Sequence, residues 1–146
     1  MNLDNARKEL AKYSKKYEKL MGMYKDFIES GATSDEKKLF NHQYYMLVQT
    51  GKVVGGILKL TKEVSAEIKD YQNDKKANAI VDNILEEASY YIEMKEEVES
   101  SRDIDLFMLS VLMNASQNTI PKMQESMAEL IEHASEFAVE EESESE

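Results

Sequence analysis

The chain has 146 residues, no cysteine, one proline, five glycines and a net charge of −11. That length can bury a core without a disulfide or a metal, and the lack of thiols excludes disulfides, thiolate ligands and cysteine catalysis. No stretch reaches the roughly 18 consecutive apolar residues of a membrane span, and the N-terminal MNLDNARKELAKYSKKY lacks the apolar segment of a secretory signal.

Few glycines and prolines leave few places to turn, so a few long helices are expected. With Leu3 as position a, Leu3, Leu10, Tyr17 and Tyr24 form one series and Ala6, Tyr13, Leu20 and Phe27 the d series. Seven-residue spacing over four heptads makes one narrow apolar stripe, the pattern of a helix packed lengthwise on partners. The stripe is the motive for expecting self-association; the other option is that it packs internally against the second helix. Gly31 follows Ser30 where a residue tolerant of positive φ ends a helix.

The second helix is predicted to start in Thr33-Ser34-Asp35-Glu36, with a hydroxyl at the cap and a carboxylate three residues on. Its apolar positions run from Leu39 and Phe40 through Leu47, Val54, Ile57 and Val64 to Ile68, and Gly51, Gly55 and Gly56 interrupt them. Each glycine costs roughly 1 kcal/mol in a helix relative to alanine, so these three call for a reason. Gly51 and Gly55 share a face that would admit close approach of another backbone, or a kink. A break near 51–56 into two helices is the other option.

Tyr71-Gln72-Asn73-Asp74 is the best internal boundary, because the charge changes sign there. Residues 1–72 carry thirteen Lys/Arg against ten Asp/Glu; residues 73–146 carry five against nineteen. A third helix follows with Ile80, Val81, Ile84, Leu85, Ala88, Tyr91, Ile92 and Val98 at helical spacing, and a turn at 99–103 with Ser101 or Asp103 as cap. Residues 104–113, IDLFMLSVLM, are apolar almost all round and are expected to be the most buried segment. Pro121 either kinks one long helix or, as favoured here, opens a new one capped by Asn118 or Thr119. Met123, Met127, Leu130, Ile131, Ala134 and Phe137 line the last helix. The expected fold is an all-α bundle of four to five helices, with a long N-terminal hairpin. One domain spans 1–139, a mildly basic hairpin over 1–72 and acidic helices over 73–139, and 140–146 form an acidic disordered tail.

The catalytic inventory is poor. His42 and His133 are the only histidines, and a lone helical histidine is more often a surface or satisfied side chain than a base. No pair of Glu-x-x-His segments supplies a di-iron site, no calcium loop is present, and Gly51-Lys52-Val53-Val54-Gly55-Gly56 lacks phosphate-loop spacing. No catalytic residue, metal or cofactor is assigned. Tyrosine and lysine are the informative pair, because aromatic faces stack on bases and lysine binds phosphate as a point charge. Five of eight tyrosines lie within residues 1–45, beside half of the Lys and Arg residues. Tyr13, Lys16, Lys37, Lys38, Tyr45 and Lys52 are therefore the candidate ligand-binding residues. The plainer reading makes Tyr13, Tyr17 and Tyr24 core or interface residues, the methionines core filler, and Glu86, Glu87, Glu93, Glu96, Glu97 and Glu99 a solvated face. That acidity disfavours direct nucleic-acid binding, and a nucleic-acid-mimicking surface would look similar.

Residues 17–54, YEKLMGMYKDFIESGATSDEKKLFNHQYYMLVQTGKVV in their core, resemble a widespread group of small tailed-phage proteins of poorly defined function. The group's pattern is a long helix ending Phe-Ile-x-Ser, a short loop, and a capped second helix with two apolar residues, Gln, and further apolar positions. Phe27, Ile28, Ser30, Leu39, Phe40, Gln43, Leu47 and Val54 match it; Thr50 stands where Tyr is usual, and Gly31-Ala32 where Pro is common. The resemblance implies phage origin, a helical hairpin, oligomerisation and an accessory role in the host cytoplasm. Some small helical phage proteins sequester the cyclic nucleotide signals of bacterial defence, so one expected function is a non-enzymatic sponge for a cyclic nucleotide or similar anion. The alternative is an inhibitor or adaptor that turns its acidic half against a basic face of a host protein.

Overall fold

The computed structural model describes residues 2–100 and 106–144, with side-chain surroundings through residue 136. Four α-helices follow one another: α1 (Leu3–Glu29), α2 (Glu36–Ala66), α3 (Lys75–Ser100) and α4 (Leu106–Glu144). Among the described residues there is no strand.

Each described turn has a local cause. Asn2 caps α1 by accepting from the Asp4 N–H, and Gly31, at φ 78°, turns the chain left-handed after Ser30. A 3-10 turn over Ala32–Ser34 leads into α2, where the cap is Asp35, accepting from the N–H groups of Lys37 and Lys38. The expected Thr33–Glu36 box does not form; the Ser34 hydroxyl donates to the Gly31 carbonyl instead, and Asp35 takes the cap. Between α2 and α3 the chain reverses through Asp70, at φ 52°, whose carboxylate accepts from Asn73 Nδ2 at 2.9 Å. Aspartate is among the few residues that tolerate this conformation. Asp74 then caps α3 through the Ala77 N–H, so the boundary lies where the charge pattern placed it. The candidate caps Ser101 and Asp103 lie outside the described residues.

Helices α2 and α4 run in the same direction and form the spine. Gln43 Nε2 donates to Ser110 Oγ at 3.1 Å near one end, and Thr61 Oγ1 approaches Met127 Sδ at 3.2 Å further along. Met46, Leu47, Val53, Val54, Ile57, Leu60 and Val64 of α2 bury against Leu109, Leu112, Met113, Ile120, Met123, Met127 and Leu130 of α4. Helices α1 and α3 flank this pair. The α1 stripe faces inward: Ala6 and Leu20 are buried, and Leu3, Leu10, Tyr13, Tyr17 and Tyr24 pack against the core. The stripe thus packs within the chain, against the helices of its own bundle.

The break in α2 does not occur, and three expectations change, namely the place of Pro121 and the burial of the 104–113 segment and of Leu85. Helix α2 is unbroken through Gly51, Gly55 and Gly56, and what approaches it is side chain rather than backbone. A Cβ on Gly51 would meet the Lys95 side chain at 3.1 Å, Gly55 faces open space, and Gly56 lies under the Tyr13 ring. Pro121 does not start a helix; it sits inside α4 on an exposed face, held between buried Ile120 and Met123. Tertiary anchoring on both sides overrides the backbone hydrogen bond that proline removes. The 104–113 segment is not buried all round. Leu109, Leu112 and Met113 point inward, whereas Phe107 is 75% exposed and Val111 37% exposed; Ile104 and Asp105 lie outside the described residues. Leu85, expected in the core, is also exposed.

Because Pro121 lacks a backbone donor in mid-helix, Pro121→Ala should stabilise the fold by about 1–3 kcal/mol. Urea unfolding would read this as a higher midpoint at unchanged slope. A lower midpoint would mean that the ring contributes packing worth more than the lost bond.

Candidate functional site

An open cleft of 460 Å³ lies between α1 and α2. Asn5, Lys8, Glu9 and Tyr13 line it from α1, and Gly56, Lys59, Leu60 and Glu63 from α2. Helical spacing puts Glu9 one turn before Tyr13, and Lys59 and Glu63 on successive turns after Gly56. The missing Cβ at Gly56 is what lets the Tyr13 ring lie across α2. Burial, then the charges of Glu9 and Glu63, push the Tyr13 phenol above its ordinary pKa, so the hydroxyl keeps its proton at neutral pH. Two lysines and two glutamates face one space, so the cleft offers paired charges and a hydroxyl rather than a single-sign pocket.

Of the six candidate residues, only Tyr13 lines this cleft. Lys16 is half-buried one turn further along α1; Lys52 is exposed one turn before Gly56, and Tyr45 is exposed earlier still on α2. Lys37 and Lys38 are exposed in the first turn of α2. Eighteen residues separate Lys38 from Gly56, roughly 27 Å at 1.5 Å per residue. The hairpin thus strings the six along its length and does not gather them around one small anion. Lys8, Glu9, Lys59 and Glu63 escaped the sequence reading; the i, i+4 spacing of Glu9 with Tyr13 was the one signal available.

The polar groups of the interior serve the fold. Thr50 Oγ1 donates to the Met46 carbonyl at 2.8 Å and accepts from the Tyr91 hydroxyl at 2.7 Å, all of it buried. Burial pushes Tyr91 up to about 12. His42 stacks on Phe27 with ring centroids 4.1 Å apart and planes 4° apart, joining the end of α1 to α2; burial lowers its pKa and favours the neutral ring. His133, on α4, meets the Asp74 cap of α3, with Nε2 2.7 Å from Oδ2. Burial alone would raise the Asp74 pKa. Hydrogen bonds from the Ala77 N–H, His133 and the Lys76 N–H, together with the His133 charge, outweigh it, and the carboxyl titrates below its ordinary value.

The opposite side of the bundle has a different character. A 350 Å³ groove between α3 and α4 is lined by Asn83, Glu86, Glu87, Lys122, Glu125, Ser126 and Glu129. Lys122 lies 3.7 Å from Glu87, and the other three carboxylates make the groove acidic. Phe107 and Val111 of α4 and Tyr90 of α3 are exposed on the same two helices.

Among the described residues no group of three His, Cys, Asp or Glu is placed to hold a metal, and no helix is long and apolar enough to cross a membrane. Fold and surfaces define a small all-α bundle with a paired-charge cleft on one side and an acidic, partly apolar face on the other. No family model, no curated protein and no solved structure matches the chain.

Two consequences are measurable. A carboxyl whose folded pKa is depressed stabilises fully above its ordinary range, and that stability is lost as pH falls through the folded value. Urea midpoints should therefore drop on acidification below about pH 4, and Asp74→Asn should flatten that drop while lowering stability at neutral pH. An unchanged pH profile in the variant would remove Asp74 as its source. Gly56→Ala gains roughly 1 kcal/mol of helix propensity yet should destabilise, because its Cβ displaces the Tyr13 ring. In a double-mutant cycle with Tyr13→Ala the two changes should couple by about 0.5–3 kcal/mol; additive effects would show that the ring simply swings away.

Proposed function

We propose that this chain is a non-enzymatic binding protein that works by engaging another protein through its acidic C-terminal half. The observation carrying this reading is the exposure of Phe107 and Val111 on α4 within a run, Leu106–Pro121, that contains no charged residue. In a chain with 32% charged residues, an exposed helical face kept free of charge has the composition of an interface core. The resemblance in residues 17–54 supports setting this activity in a phage accessory protein that acts on a host protein in the cytoplasm.

A second reading, sequestration of a cyclic nucleotide or other small anion, draws on the α1–α2 cleft with Tyr13, Lys8 and Lys59. Its weakness is Glu9 and Glu63 in the same space, together with the net charge of −11, which opposes long-range capture of an anion. An inter-subunit version of that site would require an oligomer held by something other than the α1 stripe.

One comparison separates the two. Phe107→Asp with Val111→Asp should leave helicity and unfolding midpoint nearly unchanged, since both residues are exposed, and should abolish photo-crosslinking to a protein from a label placed at Asn114. In parallel, thermal unfolding is followed with cyclic dinucleotides at up to about 100 times a trial Kd, where a bound ligand adds about 2.7 kcal/mol. Crosslinking that is lost in the double variant supports protein engagement. A thermal shift that disappears in Lys59→Ala, without crosslinking, would establish the sponge in its place.

A further inference from the structure

The exposed apolar residues and the acidic groove belong to one strip. The antiparallel register of α3 and α4 is fixed by Glu87 opposite Lys122 and Asp74 opposite His133. That register sets Met94 level with Asn114 and Tyr90 level with Asn118. Along α4, Phe107, Val111, Asn114, Asn118, Lys122, Glu125 and Glu129 recur every three or four residues, which keeps them on one face. Along α3, Glu86, Tyr90 and Met94 do the same, with Tyr90 59% exposed. Along α4 the strip is uncharged from Phe107 to Asn118 and acidic beyond Lys122, while α3 adds Glu86 at the acidic end and exposed Glu97, level with Val111, beside the apolar one. From Phe107 to Glu129 the strip is roughly 33 Å long at 1.5 Å per residue.

We propose that this strip is the docking surface for a basic amphipathic helix of a partner protein, an assignment that rests on the protein-binding function above. The length matches a partner helix of about 20 residues. Phe107, Val111 and Tyr90 would take its apolar anchors, as in other helix-in-groove recognition. Glu86, Glu125 and Glu129 would take its lysines or arginines, since Lys122 is already occupied with Glu87. Charge complementarity selects this occupant over a second copy of the chain. Two copies set in register along the strip would bring the same surplus carboxylates together. Two set antiparallel would lay each apolar end on the other's carboxylates, and a nucleic acid would be repelled outright.

The test uses the full chain and three labelled 20-residue peptides in fluorescence anisotropy. One is a helix with leucine on one face and lysine on the other; the second has the same composition in scrambled order; the third has glutamate in place of lysine. The Leu/Lys helix should bind, the other two should bind at least about tenfold more weakly, and Phe107→Ser and Glu125→Gln/Glu129→Gln should each weaken it by about tenfold. Added salt should weaken the wild type more than the Glu double variant, and circular dichroism should show all variants folded. Equal binding of the scrambled peptide overturns the proposal by showing charge attraction alone. Equal, Phe107-dependent binding of the Leu/Glu helix overturns the basic partner but keeps the protein-binding face. Absence of any Phe107-dependent binding, by peptide or by photo-crosslinking, defeats both. A Phe107-dependent dimer in sedimentation would assign the strip to a second copy and overturn the proposal too.

Discussion

The contact between α2 and α4 is the one on which the rest of the structure depends. Two helices running the same way cannot be joined by a tight turn, so α3 must travel back between them as an antiparallel connection. With the spine buried, α1 and α3 each need only cover one flank. The α1 stripe suits that task, since Ala6 and Leu20 bury fully against the core while Tyr13, Tyr17 and Tyr24 stay partly buried along its edge. The two surfaces discussed for function, the α1–α2 cleft and the α3–α4 strip, are the seams left where each flanking helix meets the spine.

Much of the fold was legible because it is written in local chemistry. Gly31 at the end of α1, the polar boundary before Asp74 and the inward positions of α2 all appear in the sequence as spacing or turn residues. The departures share one cause, that packing decides between options local rules leave open. Asp35 takes the cap because Ala32–Ser34 fold into a turn first. Pro121 stays in mid-helix because Ile120 and Met123 are buried on either side. The reason for Gly56 is a ring on another helix, which no pattern within α2 can reveal.

The candidate site was less legible than the fold. Lysines and tyrosines dense in sequence were read as a cluster, but a 31-residue helix spreads them over its whole length. The apolar segment 104–113 reads in sequence as burial. Apolarity all round a helix fits both a buried helix and one that buries one face and offers the other to a partner. Only the observed exposure of Phe107 and Val111 separates them.

The parallel spine also bears on how the chain comes together. Gln43 and Ser110 are 67 positions apart, and Thr61 and Met127 are 66. Contacts so distant along the chain form only after the intervening segment has given up its freedom, which slows their closure relative to neighbouring hairpins. Until α4 arrives, the inward face of α2 has α1 along one edge and an open apolar surface along the other. During synthesis, that interval is when the chain is most exposed to aggregation, and the lysines at 52, 59 and 62 on the outer side of α2 keep the waiting segment charged.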